Sequence, residues 1–236
     1  MTAAIPSPNI WNDPQPYEIE NHAVDRAERI EAAMLRHRPI AGAGVLDLGC
    51  GSGFHLERWV DYGARSVIGC EPHTPLARRA ADRVAALDPG KRQRISVLEA
   101  GAEHLPLAAD SVDVMQARWA YFFGSGSEPG LAELDRVMAP GGVAFVIDND
   151  LSVPSTFGSW FAGAYPAYDA AATERFWRRA GWQREIVPIT WEFDERADLE
   201  AVVRIEFPES AAEQILAAHP GWEPIDYSVV LRTKRY

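Results

Sequence analysis

The sequence predicts an α/β fold built around a doubly wound, mostly parallel sheet. Five short apolar segments alternate with helical patterns between residues 45 and 147, and such alternation is typical of parallel strands joined by crossover helices. The fifth segment, residues 143–147, is apolar throughout, as expected for a strand whose two faces are both buried. The length of 236 residues fits one domain of this class and leaves little room for a second.

Seven strands are delimited by apolar runs and by their flanking turn residues. They are predicted at residues 45–48, 66–70, 95–99, 112–116, 143–147, 185–193 and 227–233. Apolar residues at helical spacing predict helices at residues 22–37, 54–62, 75–87, 129–139, 173–180, 197–205 and 210–219. Four prolines within residues 1–16 favour an extended arm there, because proline restricts both its own backbone and that of the preceding residue.

Composition and charge argue against several classes of partner. The formal net charge of -11 disfavours a nucleic acid or an anionic membrane, since both require a basic surface. Only two cysteines are present, Cys50 and Cys70, so a disulfide framework is absent, and no His/Cys spacing indicates a metal site. No lysine or arginine precedes Arg26 and no apolar run is long enough to cross a bilayer, so we expect a cytoplasmic protein.

The most informative segment is residues 45–53, Val-Leu-Asp-Leu-Gly-Cys-Gly-Ser-Gly. A strand containing Asp47 ends in three glycines, Gly49, Gly51 and Gly53, where backbone without a Cβ can approach a ligand closely. The helix predicted next would present free N–H groups to an anionic group of that ligand. The spacing is G-x-G-x-G, which differs from the G-x-G-x-x-G of dinucleotide-binding proteins.

This segment resembles motif I of the class I S-adenosylmethionine-dependent methyltransferases. Glu71 ends the second strand, where a carboxylate can accept hydrogen bonds from both hydroxyls of a ribose. Residues 99–115 resemble the family pattern of an acid, a turn, Leu-Pro-apolar and a strand opened by Asp, and residues 138–143 resemble its Leu-x-Pro-Gly-Gly turn. The resemblance covers about residues 40–150 and implies a seven-stranded Rossmann-like sheet with an antiparallel last strand.

The resemblance implies that the cofactor is S-adenosyl-L-methionine and that the product is S-adenosyl-L-homocysteine. The expected cofactor-binding residues are Asp47, Gly49, Cys50, Gly51, Gly53, Glu71, Pro72, Ala102, Glu103 and Arg118. Glu71 would hold the ribose of the adenosine. Many family members place an acid near the adenine amine, but this sequence has Gly101 at that position. The backbone of Ala102 or the side chain of Glu103 would therefore contact the adenine instead.

Two residues are candidates for catalysis. His55 lies on the first turn after the glycine motif, where an imidazole can act as a base near neutral pH or contact the cofactor carboxylate. A role as a polar helix-start residue is the alternative. Asp148 ends the fifth strand together with Asn149 and Asp150, and one of the three would orient or deprotonate an acceptor. A turn-forming Asp-Asn-Asp segment is equally consistent with the sequence.

Aromatic residues mark a potential acceptor site. The candidate substrate residues are Trp11, Tyr17, Trp119, Tyr121, Asp150 and Trp160. Arg118 could pair with a carboxylate. An aromatic lining would suit an apolar or aromatic small molecule, or an amine held through cation–π contacts, whereas core packing is the structural alternative for these rings.

The expected organisation is an N-terminal arm and helix covering the site (residues 1–40), followed by one methyltransferase domain (41–236) with an acceptor-side insertion (151–184). The expected reaction is in-line transfer of a methyl group to a small-molecule acceptor by a monomer or homodimer. A cofactor-binding regulatory or partner protein without transferase activity is the alternative. An NAD-type oxidoreductase is disfavoured by the glycine spacing, and a nucleic-acid methyltransferase by the acidic charge.

Overall fold

The computed structural model describes residues 8–236 as a seven-stranded sheet with helices on both faces. The strands are β1 (Gly44–Leu48), β2 (Ser66–Cys70), β3 (Ile95–Leu98), β4 (Val112–Arg118), β5 (Met138–Asn149), β6 (Gln183–Trp191) and β7 (Ile225–Arg235). The helices are α1 (Pro8–Asn12), α2 (Pro14–Ala23), α3 (Arg29–His37), α4 (Leu56–Asp61), α5 (Thr74–Ala85), α6 (Pro89–Arg92), α7 (Glu128–Val137), α8 (Thr156–Ala164), α9 (Ala170–Arg179), α10 (Arg196–Glu206) and α11 (Glu209–Ala218).

The strand order confirms the predicted fold class. The order across the sheet is β3-β2-β1-β4-β5-β7-β6. Strands β1 to β5 pair in parallel, whereas β7 runs antiparallel to both β5 and β6. The first three strands extend the sheet to one side of β1, and β4 then pairs with the other side of β1. Ligands of such sheets bind outside the carboxyl ends of the strands at this switch point.

Alternation along the strands divides the buried side chains into two layers. In β1, all five residues are buried, and successive side chains point to opposite faces. One layer, packed under α3, α4 and α10, includes Val45, Val67, Val114, Phe145, Leu199 and Val203. The other, packed under α7 and α9, includes Leu46, Met115, Leu134, Val146 and Trp177. The sheet is therefore covered on both sides, as the apolar strands predicted.

The N-terminal region departs from the prediction. Residues 8–23 form α1 and α2 instead of an extended arm, because Pro14 and Pro16 occupy the first turn of α2, where proline costs no intrahelical hydrogen bond. Residues 1–7 of the predicted arm lie outside the described part. The helix predicted at 22–37 begins only at Arg29, since Asp25 and Glu28 adopt positive φ angles of 52°. The Asp25 carboxylate accepts hydrogen bonds from the first amides of α3.

The other elements lie close to their predicted positions. Most boundaries shift by one or two residues, while β5 extends the predicted 143–147 segment through the Pro-Gly-Gly turn to Met138. Gly141 and Gly142 pair there with the backbone of Tyr236. Cys50 and Cys70 are buried free thiols. Within residues 8–236, no helix has the length and apolar character needed to span a bilayer.

The glycine turn after β1 is constrained by packing as well as by its backbone angles. Gly49 has a φ of +75°, and a Cβ at this position would lie 2.4 Å from the Ala120 Cβ. Gly141 has a similar φ of +81°, but its Cβ would meet no atom within 4 Å. The two positions separate the cost of a left-handed conformation from the cost of a steric clash.

We expect Gly49→Ala to destabilise the fold by about 2–5 kcal/mol, because the left-handed backbone costs roughly 1–2 kcal/mol and overpacking roughly 1–3 kcal/mol. Gly141→Ala should cost only about 1–2 kcal/mol, because it incurs the backbone term alone. Urea unfolding monitored by tryptophan fluorescence measures both. Equal losses in the two variants would show that the close approach of Ala120 to the turn contributes nothing.

Candidate functional site

A cavity of about 1380 Å³ opens at the carboxyl ends of the parallel strands. Its walls come from the segments that follow β1, β2, β3 and β4, from the ends of β5 and α10, and from α1 and α2. The volume exceeds that of most single-ligand pockets, so it can accommodate two molecules side by side. The cavity lies at the switch point where the fold class predicts a ligand.

The glycine turn forms the floor of the cavity. Gly49, Cys50 and Gly51 line it, whereas Gly53 does not, because Gly53 packs against Ala80 of α5. The Gly49 and Cys50 amides donate hydrogen bonds to the Cys70 carbonyl. The turn is thereby fixed to the end of β2.

Asp47 projects from β1 into the same floor. The residue is buried, and its Oδ2 has no hydrogen-bond partner among the described residues. Burial raises the pKa of Asp47 to about 6. An unpartnered buried carboxylate oxygen that borders a cavity is suited to accept a hydrogen bond from a ligand.

Glu71 connects the turn to the end of β2. Its Oε2 accepts a hydrogen bond from the Gly51 amide at 3.0 Å, and its Oε1 accepts one from the His73 amide at 2.9 Å. Burial raises the pKa of Glu71, although both amide donors oppose that shift. Each carboxylate oxygen keeps further acceptor capacity, so a vicinal diol can be held by both oxygens together.

Pro72, Ala102 and Glu103 line the next part of the cavity. Glu103 accepts a hydrogen bond from the Tyr121 hydroxyl, which in turn accepts one from the Gly130 amide. Burial and the bond to Glu103 raise the pKa of Tyr121 to about 12, so its hydroxyl remains a donor at neutral pH. The Glu103 side chain is therefore held in place beside the cavity.

Two arginines in the wall share one buried glutamate. Glu31 accepts hydrogen bonds from Arg58 at 2.5 Å and from Arg118 at 2.9 Å. Burial alone would raise the pKa of Glu31, but Arg118 and Arg58 outweigh it and hold the pKa at about 2. Arg118 also donates to the Gln116 side chain. Both guanidinium groups are thus anchored at the cavity wall.

His55 lies beside this cluster at the start of α4. Burial, followed by the charge of Arg118, lowers the pKa of His55 well below its usual value. The imidazole is therefore neutral at pH 7, and its Nδ1 has no partner among the described residues. A neutral imidazole at this position can accept or donate one hydrogen bond to a ligand.

Aromatic rings and one amide form the far end of the cavity. Asn149 Oδ1 accepts hydrogen bonds from Trp119 Nε1 at 2.7 Å and from the Tyr227 hydroxyl at 2.5 Å. Tyr227 stacks on Phe157 with ring centroids 3.9 Å apart. Trp119 and Tyr121 adopt positive φ angles of 46° and 53°, a conformation that costs free energy in non-glycine residues and concentrates at functional sites.

The N-terminal helices contribute the remaining wall. Ile10 Cδ1 lies 3.0 Å from the position that a Gly51 Cβ would occupy. Trp11 stacks on His73 with ring centroids 4.2 Å apart. Trp11 and Tyr17 both line the cavity. The first described residues therefore contact the same glycine turn that forms the floor.

Besides Gly53, three of the predicted site residues do not reach the cavity: Asp148, Asp150 and Trp160. Successive residues of a strand point to opposite faces, so Asp148 and Asn149 lie on different faces of β5. Asp148 is buried on the face turned away from the cavity, near Arg232. Asp150 is held by Arg184 at 2.6 Å and by Ser152. Trp160 packs edge-on against Phe207 and His219.

Several cavity residues were not singled out from the sequence. They are Glu20, Glu31, Arg58, Glu206 and Tyr227. Asn149 also lines the cavity, and the sequence offered it together with Asp148 and Asp150, neither of which reaches the cavity. The others lie in α2, α3, α4, α10 and β7, far apart in sequence and without any local motif.

The raised pKa of Asp47 makes a prediction about stability. In the unfolded chain the Asp47 carboxyl ionises near its usual pKa of about 4, whereas in the folded protein it ionises only near pH 6. At higher pH, keeping the charged carboxylate buried therefore lowers the free energy of unfolding. We expect Asp47→Asn to be as stable as the parent at pH 4 and about 2–3 kcal/mol more stable at pH 7. Urea unfolding at pH 4, 5, 6 and 7 measures the difference, and a pH-independent difference would contradict the assignment.

Comparisons with known proteins agree with this geometry. The model of the family described as "Methyltransferase domain" matches residues 46–146. The tRNA U34 carboxymethyltransferase of Methylococcus capsulatus is 31% identical over 135 residues, which are 54% of this chain and 40% of that protein. The chain spans about half or less of the length of the first curated relatives it matches.

Solved structures share the fold at low sequence identity. An S-adenosylmethionine-dependent methyltransferase from Aquifex aeolicus superposes with a TM-score of 0.56 at 16% identity, covering 92% of this chain and 98% of the other. The geranyl diphosphate C-methyltransferase of Streptomyces coelicolor, solved with S-adenosyl-L-homocysteine, gives a TM-score of 0.58 at 13% identity, with coverage of 89% and 80%. Residues 46–146 therefore match the methyltransferase-domain family, and the fold is the one seen in the solved S-adenosylmethionine-dependent methyltransferases.

Proposed function

We propose that the protein binds S-adenosyl-L-methionine in this cavity and transfers its methyl group to a small-molecule acceptor. The observation that carries the proposal is the Glu71 carboxylate, which lies over the glycine turn with both oxygens oriented by backbone amides. A ribose diol fits that arrangement. The cofactor supplies a methyl group that is already activated on a sulfonium, so the protein mainly has to bind, align and exclude water.

The other parts of the cofactor have matching groups in the cavity. The unpartnered Asp47 Oδ2 would accept a hydrogen bond from the methionine ammonium, and Arg118 would face its carboxylate. Ala102 and Glu103 would contact the adenine, between Pro72 and the Tyr121 ring. His55 is neutral and would serve as a hydrogen-bonding group near the methionine portion.

The donor that we propose is S-adenosylmethionine itself, although the curated relatives are named for carboxymethyl transfer. A carboxylated donor needs a cation for its additional negative charge. In the described part of the chain, the two arginines that line the cavity are both paired with Glu31. The remaining ionisable groups of the wall are mostly carboxyls, which favours a donor without the extra carboxylate.

A small acceptor is favoured over tRNA by charge. The chain carries a net charge of -11, whereas nucleic-acid binding depends on basic residues that replace counterions along the phosphates. The aromatic end of the cavity, formed by Trp119, Phe157 and Tyr227, suits an organic molecule of modest size. We further propose a cytoplasmic location, and that α1 and α2 cover the site as part of the methyltransferase domain.

The cofactor proposal is tested by calorimetric titration with S-adenosyl-L-homocysteine. We expect micromolar binding that weakens at least tenfold in Glu71→Gln, because an amide cannot accept from both backbone N–H groups and also hold two ribose hydroxyls. Asp47→Asn should also weaken binding. Binding of NAD in place of S-adenosyl-L-homocysteine would overturn the proposal in favour of an oxidoreductase.

Asp148→Asn provides the matched control for Asp47→Asn. Burial raises the pKa of both carboxyls to about 6, but Asp148 lies on the other face of β5, away from the cavity. We expect both substitutions to stabilise the fold above pH 6, and we expect only Asp47→Asn to reduce cofactor affinity. A comparable loss of affinity in Asp148→Asn would contradict the proposed site.

The acceptor class is tested by incubating the protein with methyl-labelled cofactor and either bulk bacterial tRNA or a small-molecule fraction of a cell extract. We expect label only in the small-molecule fraction, and no tRNA gel shift at 150 mM salt, because an acidic surface repels the phosphates. Label in tRNA would show that the acceptor is tRNA, as in the names of the curated relatives, and would contradict the small-molecule proposal. Tight cofactor binding with no label in any fraction would favour a regulatory protein.

A further inference from the structure

We propose that Glu20 and Glu206 form a binding site for the ammonium group of an amine acceptor. The inference deepens the proposed function, on which it rests, since it names the chemical class of the molecule that is methylated. Both residues line the cavity. Glu20 belongs to α2 and Glu206 is the last residue of α10, so two elements distant in sequence bring the carboxyls together.

The two carboxyls face one another inside the protein. They lie within hydrogen-bonding reach, and Asn9 Nδ2 of α1 donates to Glu206 Oε1 at 2.5 Å. Burial, followed by the neighbouring carboxyl, raises the pKa of Glu20, and burial likewise raises that of Glu206. Two carboxyls this close oppose being ionised together, so the pair favours a state with one shared proton and a single negative charge.

No described cation compensates this charge. Neither carboxyl forms an ion pair with a lysine or arginine in residues 8–236, and Glu20 Oε2 is buried without a hydrogen-bond partner. Leaving a carboxylate oxygen buried and unpaired is costly for stability. Such a cost is typical of groups that are kept to bind a ligand, because a bound cation would remove it.

Aromatic side chains surround the pair. Burial and the charges of Glu20 and Glu206 raise the pKa of both Tyr17 and Tyr227, which shows that the two phenols lie close to these carboxyls. Phe207 directly follows Glu206 and also lines the cavity. Ring faces attract cations, so the rings and the carboxyl charge favour the same kind of group.

An organic ammonium fits these observations better than a metal ion. In the described residues, no cluster of three or more His, Cys, Asp or Glu is arranged to hold a metal. Two carboxyls with one proton balance a single positive charge, and the adjoining aromatic wall would accommodate the apolar body of the same molecule. The acceptor class is therefore a primary or secondary amine that carries an apolar or aromatic group.

The carboxyl pair would also receive the proton that an ammonium must lose before it can be methylated. The N–H bond of the ammonium breaks and an O–H bond forms on a carboxylate oxygen. The electron pair stays on nitrogen, which becomes the neutral nucleophile. The raised pKa values of the two carboxyls make them better proton acceptors than exposed carboxylates.

The experiment uses three arylalkylamines (benzylamine, 2-phenylethylamine and tryptamine) and their alcohol counterparts, titrated into the protein saturated with S-adenosyl-L-homocysteine. At least one amine should bind tenfold or more tightly than its alcohol, and that amine should gain one methyl group by mass spectrometry when S-adenosyl-L-methionine is supplied. Glu20→Gln and Glu206→Gln should each reduce the amine-to-alcohol ratio at least fivefold.

Glu209→Gln is the matched control. Glu209 is exposed on α11 and lies outside the cavity, so the substitution removes one carboxylate charge without changing the proposed site. It should leave the ratio unchanged, and all three variants should keep the affinity for S-adenosyl-L-homocysteine within twofold and the melting temperature of the parent or higher. The inference is overturned if no amine binds, if alcohols bind as well, or if both glutamine variants keep the preference. Failure of S-adenosyl-L-homocysteine itself to bind would instead overturn the proposed function.

Discussion

The contact between Glu71 and the glycine turn is the constraint on which the site depends. Its two oxygens accept hydrogen bonds from the Gly51 and His73 amides, while the Gly49 and Cys50 amides donate to the Cys70 carbonyl. Three of these four bonds connect the turn after β1 to the end of β2 and hold the two strand ends together, while the His73 bond orients the Glu71 carboxylate. The floor of the cavity is therefore formed by backbone, which changes little when side chains elsewhere in the wall are replaced.

The features of the fold that could be predicted from sequence are those whose causes are local. The β1 strand and its glycine turn follow from a short apolar run and from three glycines. Gly49 and Gly51 line the cavity, while the missing side chain of Gly53 lets α5 pack closely against the turn. The parallel part of the sheet follows from alternating strands and helices, whereas the antiparallel last strand was implied only by the family resemblance. By contrast, the N-terminal prolines were interpreted as an extended arm, because their tolerated places in the first turn of a helix are not evident without the structure.

The acceptor side illustrates what a single sequence does not contain. The choice between Asp148 and Asn149 depends on a shift of one residue in strand register, and such a shift moves a side chain to the other face of the sheet. Glu20 and Glu206 are 186 positions apart and meet only because α2 packs against α10. No local pattern marks either residue, so only the tertiary structure could bring them to attention.

Charge divides the cavity into two regions with different chemistry. Near the glycine turn, Glu31 is matched by Arg58 and Arg118, so its carboxylate is stabilised and the arginines are oriented. At the aromatic end, the acidic pair has no such partner in the described chain. The Glu31 cluster is therefore complete without a ligand, whereas the uncompensated acidic pair would be stabilised by a cation that enters the cavity.

The groups proposed for the cofactor and the acidic pair differ in their position relative to the family match. Asp47, Glu71 and Glu103 lie within residues 46–146, the part that matches the methyltransferase domain model. Glu20 and Glu206, with the tyrosines beside them, lie outside it on helices and a strand that flank the matched core. A protein can therefore resemble this chain over residues 46–146 and still lack the acidic pair that flanks them. A relative named for tRNA modification can therefore have the same core fold as a chain whose cavity ends in acidic and aromatic residues. The fold does not determine the acceptor, because specificity depends on the segments around the core.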